Sequence, residues 1–415
     1  MAASARVAYL ARRASEYGVE TGRVEVNLLK VRERKQKVVE RFRSRGEQLL
    51  EATANLDVIY GKASFIDAKT VKVEGAEALR LGAEKIFLNT GARPVVPPVD
   101  GLSRVPFLDS TSIMELDALP EYLLILGGGY IAVEFGQMFR RYGSRVTMIE
   151  RGEQLLAHED GDVAEEVYKI LTDDGIDIRL KTTAARVEAS ERGGIRLALS
   201  GDSGKGTIEG SHLLIATGRR PNTDHLNLAA AGVALDEKGY VKVNDRLETN
   251  VPGIYAMGDI KPGPAFTHIS YDDYRILQAN LLQNGDKRID GRPVPYTIFM
   301  DPQVGRVGLT EKAARAQGRS IRIAKLPMEN VAHAIEFGET RGFMKAIVDA
   351  DTNQILGCAI LGMEGGEVMS VLQVAMMGKL PYTVIRDGVF AHPTLAESLN
   401  NLFMAMDAQG LGEAK

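Results

Sequence analysis

The chain of 415 residues contains one cysteine, Cys358. An intramolecular disulfide is thereby excluded, and the composition suits a reducing cytoplasm. Cys358 lies in "QILGCAILG", a strand-like apolar run in which a small buried hydrophobe is the expected role. No metal site is expected either, because His212, His225, His268 and His333 have no paired spacing and a single thiol cannot build a zinc centre. No apolar stretch approaches the roughly 20 residues that cross a bilayer. Excess charge is lacking too: 51 Lys and Arg stand against 55 Asp and Glu, a net −4. Neither a membrane nor a nucleic acid is therefore expected as partner.

What is present is enough apolar sequence, over enough length, for two or three domains. Residues 24–51 read as a long charged helix with Leu29, Val38, Val39, Phe42, Leu49 and Leu50 available for a stripe. Its bases, from Lys30 to Arg45, outnumber its acids; without interleaved aromatics they read as a solvated helix face. Short strands are predicted near 57–60, 63–66, 70–73 and 85–88. The loop "NTGARPVVPPVDG", broken by Pro94, Pro97 and Pro98, closes them. From "LPEYLLILGGG" an alternating βαβ pattern with a parallel sheet runs to "HLLIATGRRPN" at 212–222. "NVPGIYAMGDI" (250–260) is another apolar strand, followed by a helix over 268–284. Beyond about 296 the pattern becomes strand-rich, with helices near 364–379 and 393–406, which marks an α+β unit.

In "LLILGGGYIAVEFGQMFRRYGSRVTMIER" a strand enters a turn at Gly127, Gly128 and Gly129, with Ala132 completing the G-x-G-x-x-G/A pattern. The first glycine permits the tight turn, Gly129 lets backbone approach a pyrophosphate, and the small Ala132 lets helix pack on strand. Phosphate charge then meets the helix N-terminus, where backbone N–H groups point outward. A second strand, "RVTMIE", ends in Glu150. A carboxylate there accepts hydrogen bonds from ribose hydroxyls and repels a 2′-phosphate, so NAD(H) is preferred to NADP(H), although Arg151 lies next door.

With these motifs assembled, the chain resembles the flavoprotein pyridine nucleotide-disulfide oxidoreductases: dihydrolipoamide dehydrogenase, glutathione reductase and, above all, mercuric reductase-like proteins. "GGGYIAVEFG" resembles their nicotinamide fingerprint, with Ile131 and Glu134 in place and Tyr130 similar to the tyrosine that lids the nicotinamide pocket. "IATGRRPN", with Gly218, is similar to the motif returning from the nicotinamide domain, and the resemblance puts Val187 among the coenzyme contacts. "TNVPGIYAMGD" resembles the flavin motif whose aspartate, here Asp259, binds the ribityl chain. "PAFTHIS" places Ala265, Phe266, Thr267 and His268 beside the isoalloxazine, and "FLNTGARP" places Thr90 and Gly91 at the flavin turn despite Asn89 where the family has alanine. "HPTLAESL" resembles the carboxy-terminal dimer motif, with His392 as acid/base and Glu397 as its partner. Pro393 suits a first helical position, so Glu397 falls about one turn in and is within reach of the imidazole. Such a bond fixes the tautomer for proton transfer. His158, in "AHEDGDV", reads as a loop residue.

The resemblance implies an α/β fold: two Rossmann-like nucleotide-binding domains, the first incomplete, plus a C-terminal α+β dimerisation domain. The implied divisions are 1–120 with 246–295 for FAD, 121–245 for NAD(P) and 296–415 for the dimer interface. The family opens with a flavin-binding βαβ and a helix bearing two redox cysteines, and "ASARVAYLARRASEYGV" resembles the segment just after that helix, not a transit peptide. The chain is therefore expected to be truncated relative to a full-length enzyme, or else a natural short form. A βαβ unit of about 30 residues would leave strand edges bare by its absence, and Glu134 would be without its usual lysine. The implied activity is a cytoplasmic, homodimeric oxidoreductase passing hydride from NADH to FAD and on to a small-molecule acceptor. The chain ends "NLFMAMDAQGLGEAK" without a vicinal cysteine pair, so a disulfide or quinone-like acceptor is as open as a metal ion. The alternative is a non-catalytic NAD(H)-binding dimer without flavin chemistry.

Overall fold

The computed structural model describes residues 1–191, 193–202 and 204–413, with side chains described to residue 408. They form two compact units: Met1–Glu33, Val96–Thr217 and Pro295–Lys415 in the first, Arg34–Val95 and Gly218–Val294 in the second.

The first unit is built around the strand Tyr122–Leu126. Leu123, Leu124, Ile125 and Leu126 are all buried, as a central parallel strand covered on both faces requires. Its parallel neighbours are His212–Ile215 on one side and Arg145–Ile149 on the other, with Asp177–Arg179 beyond. The helices Tyr130–Tyr142 and Gly161–Asp173 make the crossovers, and Val133, Phe139, Met148, Val167 and Leu171 fill the space between layers. A Cβ on Gly136 would sit 3.2 Å from Met148 Sδ and 3.4 Å from Ile125 Cδ1, so this glycine sets how closely helix and strand approach.

The plain βαβ alternation expected to 212–222 is interrupted. Thr182–Ala189, Ile195–Gly201 and Gly204–Gly210 form an antiparallel three-stranded sheet before the chain returns to the parallel one. Ile195, Leu197 and Leu199 point inward and the residues between them do not, the alternation of a sheet with one wet face.

The remainder of the first unit is a five-stranded antiparallel sheet in the order Tyr296–Ile298, Gln303–Gly308, Ile355–Gly362, Phe343–Asp349, Ile321–Pro327. Every residue of Phe343–Asp349 is buried. The helix Gly365–Met377 lies directly on the sheet: a Cβ on Gly305 would fall 2.2 Å from Gly365 O. Cys358 sits fully buried in Ile355–Gly362, its thiol pushed up to about 12 by burial, in the apolar role expected of it. The last helix runs from Ser398 to Glu413 instead of starting at Pro393. Residues 394–397 are a turn instead, in which Thr394 Oγ1 donates to Ala391 O at 2.8 Å and accepts the Glu397 N–H at 3.2 Å.

An N-terminal helix, Ala2–Arg12, buries Ala5 and Ala8, and Tyr142 donates a hydrogen bond to Met1 O at 2.8 Å. In Leu28–Glu51 only Leu28 is buried, so its bases form the solvated face that was expected.

The second unit holds the antiparallel strands Lys62–Phe65, Thr70–Glu74 and Ala78–Gly82. Two short pairs accompany them, Ile86–Leu88 parallel to Ile254–Ala256 and Ala92–Pro94 antiparallel to Arg219–Pro221. The parallel pair has no further strand on either outer edge among the described residues. The strand expected at 57–60 is irregular chain: Val58 and Ile59 are each 42% exposed and pair with no strand among the described residues. Phe65, Leu88, Val241, Ile254 and Ile260 make the core, and the helix Thr267–Leu282 follows the short turn Gly258–Ile260.

Candidate coenzyme and flavin sites

The chain leaves Tyr122–Leu126 at Gly127, whose φ of +116° and missing Cβ, which would lie 2.4 Å from Ala216 O, admit only glycine. Gly129 then caps the helix Tyr130–Tyr142, whose first turn carries no acidic side chain. A Cβ on Gly129 would meet nothing within 4 Å, so open space lies over the helix start. Space and outward N–H groups together fit a pyrophosphate.

Beside this turn Glu150 directly follows the strand Arg145–Ile149, and its Oε1 accepts the Gly152 N–H at 2.6 Å. Gly128, Gly129, Tyr130 and Glu150 line a cavity of about 200 Å³ with Gln154, Leu156, Ala157 and His158. Four of the residues singled out in the sequence are thus brought together. The second wall was missed: His158 is the loop residue it was read as, but that loop faces the cavity. Arg151 next door is exposed. Ala132 is fully buried against the sheet, as helix–strand packing demands. Val187 lies in the core with Leu102, Leu126 and Ile149 and lines no part of the cavity.

Glu134 is not left without a partner. Its Oε1 accepts the Phe299 N–H at 2.8 Å, and burial pushes its carboxyl above the usual range. A backbone donor from the strand hairpin at 296–308 is the partner that the sequence reading did not foresee.

In the second unit Gly258 has φ +68°, and a Cβ there would lie 2.7 Å from both Asn89 Oδ1 and Ser270 Oγ. Asp259 follows, part-exposed, with Arg219 Nη2 4.0 Å away. The turn is held from beneath by Asp273, fully buried, which accepts the Gly258 N–H at 2.9 Å and pairs with Lys261 at 3.1 Å and Arg292 at 2.7 Å. Phe266 and His268 stack at the start of Thr267–Leu282, centroids 5.4 Å apart and 12° from parallel. Thr90 donates to Asn222 O at 3.0 Å, and Gly91 accepts the Asn222 N–H at 2.9 Å. A Cβ on Gly91, at φ +70°, would meet nothing within 4 Å. The open backbone at Gly91 and the part-exposed carboxylate of Asp259 fit the ribityl and ring portions of a flavin. Gly218, at φ +128°, is likewise open and accepts the Val95 N–H at 3.0 Å.

His392 Nδ1 lies 2.8 and 3.0 Å from the two carboxylate oxygens of Glu397. The pair expected across one helical turn is made across the non-helical turn at 394–397. Since an ionised carboxylate only accepts, Nδ1 donates and Nε2 is left for exchange. Among the described residues no group of three or more His, Cys, Asp or Glu could hold a metal ion, and no helix is long and apolar enough to cross a membrane.

A glycine turn with an acid beside it, a second glycine-bearing turn and an α+β sheet domain are the parts on which the chain can be compared with known redox proteins. Residues 3–273 match the pyridine nucleotide-disulphide oxidoreductase family and residues 294–403 its dimerisation domain, and the chain belongs to that family. It is 41% identical over 374 residues to the probable pyridine nucleotide-disulfide oxidoreductase RclA of Escherichia coli (strain K12), covering 89% of this chain and 84% of that one. Against the mercuric reductase of Lysinibacillus sphaericus it is 36% identical over 391 residues, or 94% and 71% of the two chains. The solved HOCl-induced flavoprotein disulfide reductase RclA from Escherichia coli superposes with a TM-score of 0.86 at 40% identity, covering 92% and 86%. These relatives are oxidoreductases, and the family's members depend on FAD and NAD(P)H.

Proposed function

We propose that the chain oxidises NADH and passes the electrons through FAD to a small-molecule acceptor, as a cytoplasmic homodimer. The observation that carries this reading is the placement of Glu150 beside the open glycine turn at Gly128 and Gly129. The turn backbone and the start of Tyr130–Tyr142 hold the pyrophosphate. Glu150 gives one oxygen to Gly152 and keeps acceptor capacity for the ribose hydroxyls. Its charge opposes a 2′-phosphate, which favours NAD(H) over NADP(H).

Asp259, with Thr90, Gly91 and the segment Ala265–His268, holds the flavin; when bound, FAD supplies two-electron acceptance from the nicotinamide. His392, oriented by Glu397 through Nδ1, exchanges a proton at Nε2 with the reduced acceptor. By function the chain divides into 1–120 with 246–295, 121–245 and 296–415. The acceptor class stays broad: a disulfide, a metal ion or a quinone-like compound.

The test is calorimetry with NADH and NADPH, alongside the absorption spectrum. Heat with NADH in preference to NADPH, and a yellow protein that bleaches on adding NADH, are the expected results. A colourless protein stabilised by NADH supports the non-catalytic binding dimer. No heat with either coenzyme refutes both readings.

A further inference from the structure

The second wall of the coenzyme cavity is the loop 154–158, through Gln154, Leu156, Ala157 and His158. Within it Leu156 has φ +50°, a left-handed backbone that a leucine rarely adopts. Such a conformation persists only where the surroundings over-determine it. On one side Leu156 N–H donates to Gly128 O at 2.8 Å, which ties the loop to the glycine turn. On the other, Glu159 N–H donates to Leu156 O at 2.8 Å, and the Glu159 carbonyl accepts from Gln154 Nε2 at 3.2 Å. The shape of this wall therefore hangs on where Glu159 is held.

The C-terminal sheet holds it. The Glu159 side chain has no exposed surface; Tyr296 donates to its Oε1, and Arg306, on the strand Gln303–Gly308, sets Nε 3.5 Å from its Oε2. Arg306 is itself only 2% exposed, and its Nη1 donates to Cys358 O at 3.0 Å on the neighbouring strand, which fixes the guanidinium. Asp160 adds a second fastening, accepting the Glu311 N–H at 2.9 Å and the Lys312 N–H at 3.1 Å. Glu159 Oε2 and Arg306 Nη2 are buried and make no hydrogen bond among the described residues. A buried pair so incompletely satisfied adds little stability over apolar side chains of similar volume. What it does supply is a fixed place for Glu159.

We propose that Glu159 and Arg306 are positioning residues for coenzyme binding: their ion pair holds the left-handed loop 154–158 as the second wall of the cavity, so that the C-terminal sheet sets the affinity for NADH. Released from the pair, the loop relaxes to conformers in which Leu156 is unstrained and its neighbours leave the cavity. Apparent affinity then falls with the fraction of molecules whose wall is still in place. The inference rests on the coenzyme reading above.

The test uses the full chain, with NADH and NADPH titrated by calorimetry and melting followed by scanning calorimetry, for wild type, Arg306→Met, Arg306→Lys and the double variant Glu159→Met with Arg306→Met. Arg306→Met leaves a buried carboxylate without its counter-charge, so melting temperature falls and NADH affinity drops about tenfold. Arg306→Lys restores the charge and recovers most of the affinity. The double variant separates placement from stability. With neither charge present its melting temperature recovers, but two flexible thioethers fill the space without fixing the backbone, and NADH binding stays about tenfold weak. This variant also stands in if Arg306→Met does not fold. Affinity that returns together with stability in the double variant overturns the inference, as does wild-type affinity in folded Arg306→Met. A wild type that gives no heat with either coenzyme overturns the coenzyme reading and the inference together, whereas a wild type that binds NADH beside a double variant that binds it equally well overturns the inference alone.

Discussion

Glu150 lies under the glycine turn at Gly128: a Cβ on that glycine would sit 2.9 Å from the Glu150 Oε2. The carboxylate is thus fixed beside the glycine turn, and in the proposed function its charge selects between the two coenzymes. Reversing that sign in Glu150→Arg removes the acceptor for the ribose hydroxyls and supplies a partner for a 2′-phosphate. The ratio of NADPH to NADH affinity is expected to rise about tenfold or more, as like charges in apposition cost several kcal/mol. Calorimetry with both coenzymes measures it, and an unchanged ratio takes Glu150 out of the ribose site.

His392 and Glu397 make a bond that leaves one imidazole nitrogen free to trade a proton. In the flavin-loaded protein His392→Ala is expected to slow acceptor reduction by about 10²–10⁴, the usual span for a positioned acid or base. Flavin reduction by NADH should keep its wild-type rate in single-turnover measurements. Glu397→Gln, which keeps a hydrogen-bond acceptor but not the charge, should fall between. Equal effects on both half-reactions would show that His392 acts on folding or assembly instead.

The parts of this fold visible in sequence are those whose signal is local. Leu123 to Leu126, the three glycines and the periodic helix behind them contact each other within a few residues of chain, so pattern and structure coincide. The antiparallel strands over 182–210 escaped because only alternate residues such as Leu197 and Leu199 turn fully inward, and the part-exposed ones between them dilute the apolar signal. The helix Ala2–Arg12 escaped because its buried positions, Ala5 and Ala8, are small and weakly hydrophobic. At the site, Glu150 was legible from its distance to the glycines. Glu159 and Tyr296 were not: 137 positions separate them, and no spacing rule joins a loop acid to a tyrosine in a different sheet. The His392–Glu397 pair was foreseen for a partly wrong reason, since a turn and not a helix brings the two together.

The turn at Gly258 and Asp259 in the second unit depends on a buried charge. Asp273 is fully buried and joins Lys261, Arg292 and the Gly258 N–H. Removing it strands the ammonium of Lys261, itself only 1% exposed, with no counter-charge. Asp273→Ala is expected to cost about 3–5 kcal/mol, whereas replacing the pair together, Asp273→Leu with Lys261→Met, should recover much of that. Flavin content per chain, read from the absorption spectrum, should drop with Asp273→Ala even below the melting transition, because the Gly258 anchor is lost. If melting temperature and flavin content are both unaffected, the ion pair does not hold the turn.

Lys345, 2% exposed, sets its ammonium 2.8 Å from Glu311 Oε2, 3.0 Å from Asp162 Oδ1 and 3.4 Å from Asp160 Oδ2. For Glu311 the hydrogen bond to Lys345 is the strongest influence and holds the carboxyl below the usual range. For Asp162 burial pushes upward as the largest single effect, but Lys325 and Lys345 together outweigh it and the net direction is down. Carboxyls with lowered folded-state values stabilise the fold at any pH above the unfolded values, about 3.9 for Asp and 4.3 for Glu. That stability is lost as the pH falls from there through the folded values. The melting temperature is therefore expected to decline on acidification below about pH 4.5. In Lys345→Met the carboxyls lose their shared cation, costing about 3–5 kcal/mol near neutrality, but protonation then relieves repulsion instead of breaking ion pairs. The gap between variant and wild type should accordingly narrow from pH 7 to pH 3 in scanning calorimetry. A gap that stays constant across that range would mean that Lys345 is not what keeps these carboxyls charged.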